Sequence, residues 1–117
     1  VTRGLVGGMI ANGSGHIFNI CSIASIKAYP TGGSYAISKH ALYGFSRCLR
    51  EELKDKGIRV TAVMPGATLT DSWAGADLPE DRFMKSEDVA ELVYAAYSVS
   101  ALSVVEDLVI RPQLGDI

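Results

Sequence analysis

The chain has no apolar run that approaches the ~20 residues a membrane-crossing helix needs. It has no surplus of positive charge, since 11 Lys and Arg stand against 13 Asp and Glu for a net charge of −2. That balance gives no electrostatic basis for gripping nucleic acid or an anionic membrane, and neither is expected as a partner. Cysteine is scarce. Cys21 and Cys48 fit no CxxC spacing, and their apolar neighbours predict reduced core thiols in a cytoplasmic protein. Histidine is scarcer in effect, because neither His16 nor His40 has a Cys or acid at metal-binding spacing, so no metal site is expected. His16, at the start of an apolar run, reads as a surface residue. A phosphate-cradling glycine loop is missing too. Gly13 and Gly15 are followed by Phe18 where GxGxxG requires its third glycine. The loop also precedes a strand, whereas the dinucleotide fingerprint opens a helix. Asn12–Gly15 is therefore expected to be a helix-to-strand turn. The chain starts at Val1 without an initiator Met or a signal peptide, and we expect it to be a piece of a longer protein.

What is present is 117 residues, 48% hydrophobic and 21% charged. This suits one globular domain at most, expected to bury about two thirds of its unfolded surface. Val1–Ala11 reads as the end of a helix. His16–Cys21 is short, apolar and β-branched, as in a parallel strand buried on both faces. Ile23–Ser34 is loop, punctuated by Pro30, Gly32 and Gly33. Tyr29 within it is either a packing residue or part of a pocket. Ser34–Lys56 is the strongest helix, with Ile37, Ala41, Phe45, Cys48 and Leu49 on one apolar stripe widened by Leu42 and Leu53. Arg47, Arg50, Glu51 and Lys54 are expected to face elsewhere. So wide a stripe predicts burial against more than one neighbour, such as the sheet and a partner subunit. Gly57 stands where a left-handed cap is wanted.

Ile58–Met64 is a second buried strand, broken by Pro65-Gly66. Strand, helix and strand together make a parallel crossover. Ala67–Lys85 is irregular and reads as a lid or pocket wall. Trp73 there either lines a pocket or anchors the loop to the core. Ser86 is expected to cap a helix whose buried stripe is Val89, Leu92, Val93 and Ala96. Leu108–Arg111 is a last short strand stopped by Pro112. The fold class is thus α/β with a parallel sheet.

The chemistry concentrates between Ser22 and Lys39. Lys39 follows Tyr35 by four residues, one helical turn, so both side chains share a face. A phenol near ~10 in water becomes a useful proton carrier near neutrality when a neighbouring cation favours its anionic form. Ser22 precedes Tyr35 by thirteen residues and lies at a strand end, where an α/β sheet presents groups to a ligand.

Gly15-His16-Ile17-Phe18-Asn19-Ile20-Cys21-Ser22, Tyr35-Ala36-Ile37-Ser38-Lys39 and Val60-Thr61-Ala62-Val63-Met64-Pro65-Gly66 closely resemble the C-terminal half of the short-chain dehydrogenases/reductases. The resemblance implies the C-terminal half of a Rossmann-type doubly wound parallel sheet, with residues 1–117 as a single partial domain. It also implies hydride transfer between NAD or NADP and an alcohol or carbonyl compound. Tyr35 would be the general acid/base. Lys39 would favour its phenolate and hold the nicotinamide ribose, and Ser22 would polarise the substrate oxygen. Pro65, Gly66, Thr68 and Thr70 would border the nicotinamide end of the cofactor, with Thr70 the side-chain contact to its carboxamide. The family's TGxxxGxG loop, its residue choosing between NAD and NADP and its tetrad asparagine all belong upstream of Val1. The whole protein is therefore expected to be an enzyme acting on a small molecule, and this stretch alone to be inactive.

Two other readings compete. A non-catalytic relative, acting only as a binding or oligomerisation module, is opposed by Ser22, Tyr35 and Lys39 occurring together. A hydrolase using Ser22 lacks a Gly-x-Ser-x-Gly elbow, and neither histidine has a visible acid partner. Strand Ile17–Cys21 would also lack the neighbour the family gives it. Such an open edge predicts a homo-oligomer, with the Ser34–Lys56 helix at or near the contact.

Overall fold

A computed structural model describes residues 1–117. Three helices and three strands alternate: α1 (Thr2–Asn12), β1 (Gly15–Ile20), α2 (Gly33–Leu53), β2 (Ile58–Pro65), α3 (Ser86–Ser98) and β3 (Asp107–Ile110). The strands form one parallel sheet in the order β1-β2-β3. Ile17 lies opposite Val60, Ile20 opposite Val63, and Val63 opposite Leu108. Each strand is a short β-branched run, and each parallel return needs a crossover, here α2 and α3.

Side chains alternate across the sheet. On one face, Leu49 and Leu53 of α2 bury Ile58 and Val60, and Val6 and Met9 of α1 pack against the same cluster. Farther along that face Cys21, Ala62 and Met64 pack beneath Leu42 and Tyr43. On the other face the Thr61 hydroxyl donates to the Val105 carbonyl at 2.7 Å, and His16 stacks on Phe18 with Tyr97 of α3 nearby. Helices thus lie on both faces, as a parallel sheet requires. Gly57 closes the 3₁₀ turn Lys54–Lys56 that follows α2, with φ +76°, and a side chain there would strike the carbonyl of Gly13, the residue that caps α1. Only glycine allows both the left-handed turn and that close approach.

Several expectations are corrected. β2 is the buried strand. β1 is only half covered, and its Ile20 is 54% exposed because the strand pairs on one side alone. Cys48 is exposed, and both cysteines are free thiols. Ile37 and Phe45, on the side of α2 that carries Cys48, are also exposed, so the predicted stripe is two stripes. Leu42, Ser46, Leu49 and Leu53 face the sheet, while Ile37, Ala41, Phe45 and Cys48 face outward. Arg50 turns inward rather than away. Its guanidinium donates to the Val60 carbonyl at 3.2 Å and to the Glu106 carbonyl at 2.6 Å. His16 is not a surface residue, since its Nε2 lies 2.7 Å from the Thr61 hydroxyl beneath α3. Lys85, not Ser86, holds the N-cap position of α3, and no side chain caps it. Leu92 is partly exposed, which leaves Val89, Val93 and Ala96 as the covered stripe.

Candidate active site

The C-terminal ends of β1 and β2 lie side by side, and the chain leaves each through a polar turn. After β1, Cys21 keeps its amide bonded to the Val63 carbonyl at 2.7 Å. Ser22 then starts a one-turn 3₁₀ helix. Its Oγ accepts from the Ala24 amide at 3.1 Å, and the Ser25 Oγ accepts from the Ser22 amide at 3.2 Å. This reciprocal cap orients Ser22 through the backbone. With one lone pair occupied, its hydroxyl keeps a hydrogen to donate.

Tyr35 stands in the first turn of α2, with 56% of its surface exposed. One turn later the Lys39 ammonium lies 5.7 Å from the Tyr35 ring centroid and donates to the Ile20 carbonyl at 3.2 Å. Lys39 therefore joins the start of α2 to the end of β1. A second tie is deeper. Asn19 Nδ2 donates to the Ser46 Oγ at 2.8 Å, and that hydroxyl donates to the Leu42 carbonyl at 2.9 Å. Ser46 is wholly buried, so this chain of bonds is shielded from water. Beside it, burial pushes the Cys21 thiol up, with the Ser46 and Ser25 hydroxyls acting in the opposite sense. Cys21 is thus a packing residue and not a thiolate nucleophile.

After β2, Pro65 and Gly66 form the opposite rim. The Thr68 hydroxyl donates to the Gly66 carbonyl at 3.1 Å, and the Thr70 and Ser72 hydroxyls lie 2.8 Å apart. The loop is closed at its base by bonds between Met84 and both Ala67 and Leu69. Trp73 follows the first of its two sequence readings, since its aromatic partner belongs to its own loop and not to the core. It packs edge-on against Phe83 at 5.0 Å and also lines the crevice.

Ser22, Tyr35, Lys39, Pro65, Gly66, Thr68 and Thr70 all line one crevice of about 520 Å³ at the strand ends. Tyr29 lines it as well. A larger hollow of about 860 Å³ lies between α2 and the approach to β3. Its charges answer one another, with Arg50 3.3 Å from Asp107, and it holds none of the residues singled out by motif. No group of three His, Cys, Asp or Glu side chains is placed to hold a metal ion.

Three residues were missed by sequence reading: Ser46 and Asn19, which tie α2 to β1, and Asp116, which lines the crevice. Ser46 could have been found by taking Lys39 as the strand-facing position and counting Lys39, Leu42, Ser46, Leu49, Leu53 along α2. Asn19 follows from that register. Asp116 carries no local signal, because Lys27, Tyr29 and Arg82 are distant in sequence and the five-residue step to Arg111 matches no helix or strand period.

Comparison with known proteins agrees with this geometry. The family model described as short chain dehydrogenase matches residues 1–81. A sepiapterin reductase from Chlorobaculum tepidum is 36% identical over 118 aligned residues, covering 100% of this chain and 48% of that protein. The crystal structure of serine dehydrogenase from Escherichia coli superposes with a TM-score of 0.79 at 30% identity, over 93% of this chain and 45% of that one. The closed form of serine dehydrogenase complexed with NADP⁺ gives 0.81 at 26% identity, over 93% and 48%. The chain spans about half the length of these relatives. Its parallel α/β sheet, the matched family model and these likenesses place the chain in the short-chain dehydrogenase family.

Proposed function

We propose that the protein carrying this chain is an NAD(P)(H)-dependent cytoplasmic oxidoreductase that interconverts an alcohol and a carbonyl compound of small or medium size. The supporting observation is the convergence of Ser22, Tyr35 and Lys39 on one crevice whose far rim is Pro65, Gly66, Thr68 and Thr70.

The donor set suits the nicotinamide end of such a cofactor. Lys39 uses one N–H on the Ile20 carbonyl and keeps two for a ribose diol. Thr70 offers a hydroxyl at the rim for the carboxamide. A bound nicotinamide supplies the hydride chemistry. The chain's own residues handle the oxygen. Ser22 donates its free hydrogen to that oxygen and holds it in place. Tyr35 exchanges the proton with it as general acid or base. Lys39 keeps its ammonium beside the phenol ring and fixes the start of α2 to the strand end.

For this stretch by itself the reading is narrower. It spans about half the length of its relatives, and we propose that alone it does not turn over. It acts then as an oligomerisation module, with the outward stripe of α2 meeting a second copy.

The test is oxidation of NADH and NADPH by the whole protein against a panel of carbonyl compounds. Tyr35→Phe should lower turnover by about 10²–10⁴-fold. Equal turnover by that variant removes Tyr35 from the mechanism.

A further inference from the structure

Asp116 ties together three segments around the crevice, two through its carboxylate and the third through its backbone carbonyl. Asp116, beyond β3, accepts from the Lys27 ammonium at 2.7 Å and from the Tyr29 hydroxyl at 3.4 Å, both on the loop before α2. Arg111, at the end of β3, grips the same carboxylate side-on. Its Nε lies 3.1 Å from Oδ1 and its second guanidinium nitrogen 2.9 Å from Oδ2. Arg82, in the loop after β2, donates to the Asp116 backbone carbonyl at 3.3 Å. Lys27 also sits 5.4 Å from the Tyr29 ring centroid, so the ring is held from two sides.

These contacts differ from scattered surface ion pairs. The Asp116 side chain is only 15% exposed, and both its oxygens are taken. A carboxylate so fully engaged has nothing left to bind substrate. Yet Asp116 and Ile117 line the same crevice as Tyr29, Trp73, Ser22 and Tyr35. The loops after β2 and β3 are already joined where they leave the sheet, the Gly66 amide donating to the Ile110 carbonyl at 2.8 Å, whereas the loop that carries Lys27 and Tyr29 has no backbone bond to either and is tied to them through Asp116.

We infer that Asp116 is the positioning residue that fixes the substrate-side wall of the crevice, setting which carbonyl compounds fit. The inference rests on the oxidoreductase reading for its effect on substrate, but the clamp can be tested without it. A clamp of this kind acts on substrate affinity and leaves the Ser22, Tyr35 and Lys39 constellation alone.

The experiment uses the whole protein with Asp116→Ala and the milder Asp116→Asn, which keeps the shape and loses the charge. Three quantities are read: KM and kcat for the best carbonyl substrate, Kd for NADPH, and the rate of tryptic cleavage after Lys27 without ligands. Expected for Asp116→Ala are a KM raised about tenfold, kcat and the NADPH Kd within about twofold of the parent, and cleavage after Lys27 about tenfold faster. Asp116→Asn should fall between, and Lys27→Met should reproduce the KM change. Unchanged KM and unchanged cleavage in both Asp116 variants overturn the clamp, as does a loss confined to kcat. If the parent reduces no carbonyl compound, the oxidoreductase reading fails, and the cleavage rates still decide whether Asp116 ties the wall. If Asp116→Ala does not fold, Asp116→Asn carries both the KM and the cleavage comparison, and Lys27→Met, which has no tryptic site at that position, carries the KM comparison alone.

Discussion

His16 shows how one contact fixes a protonation state. The Thr61 hydroxyl gives its hydrogen to the Val105 carbonyl, so toward His16 it can only accept. The ring must then carry its hydrogen on Nε2, leaving Nδ1 as a bare acceptor that is buried without a partner. Protonation would put a second hydrogen where nothing receives it. Burial, and secondarily the nearby Arg59 guanidinium, lower the His16 pKa from 6.5 to about 4. The fold therefore favours the neutral ring. Its contribution is fully present above the ordinary value of 6.5 and is lost as pH falls through about 4. Urea titrations should show stability declining across that window by about 2 kcal/mol, after discounting the shift for partial solvent access. His16→Phe, a ring of similar size, should flatten this part of the profile. An unchanged slope in the variant would assign the loss to other groups. Ser46 makes a second residue-scale case. Ser46→Ala leaves Asn19 Nδ2 buried without its acceptor, at an expected cost of about 1–3 kcal/mol by thermal unfolding. A variant as stable as the parent would show that water replaces the hydroxyl. The site residues differ in how visible they were. Ser22, Tyr35 and Lys39 were legible because one strand end and one helical turn place them, both local in sequence. Asp116 was not, because its partners lie 5 to 89 residues away and no period links them.

At the scale of the element, α2 carries the most information and was the most misread. Its existence and its glycine-closed end follow from composition, and so do the existence and order of the three strands. Its facing does not, because apolar residues occur on two sides and periodicity cannot say which side meets the sheet. The polar residues decide. Ser46 bonds across to β1 and Arg50 to carbonyls of and near β2 and β3, so both lie on the inner face despite being hydrophilic. Ile37 and Phe45 are consequently left 72% and 44% exposed. Two large apolar side chains two turns apart on one helix, with small Ala41 on the turn between them, make a surface into which a second copy of the same helix can pack. On the reading that this face joins two copies, Phe45→Glu should weaken self-association in sedimentation, with a Kd about tenfold to a hundredfold weaker. Because Phe45 does not face the sheet, unfolding of the monomer should change by under about 1 kcal/mol. If the oligomer persists unchanged, this face of α2 is not the contact.

Taken as a whole, the molecule exposes more surface than its mass accounts for. A compact chain of 12.5 kDa exposes about 6,200 Å². This one exposes 7597 Å². Its radius of gyration is 15.7 Å, against about 13 Å for a compact domain of this length. Against roughly 18,100 Å² for the unfolded chain, about 58% of the surface is buried, short of the two thirds expected. The excess, roughly 1,400 Å², is comparable to what one partner covers in a large interface. Exposed apolar side chains contribute to it in several places, among them Ile20 on the edge strand β1, Leu5 and Ile10 of α1, and the outward stripe of α2. An edge strand with Ile20 exposed beside it has unpaired backbone groups and apolar surface together, the combination that draws in another strand. Protection should then be uneven when the 117-residue chain is studied alone. Hydrogen exchange should be slowest at Val60–Met64 of β2, which is paired on both sides, and fast at α1 and at β1 amides pointing away from β2. Self-association at micromolar concentration should slow the β1 amides and leave β2 unchanged, because only the edge gains partners. A monodisperse monomer whose β1 is as protected as β2 would refute this account of the surplus surface.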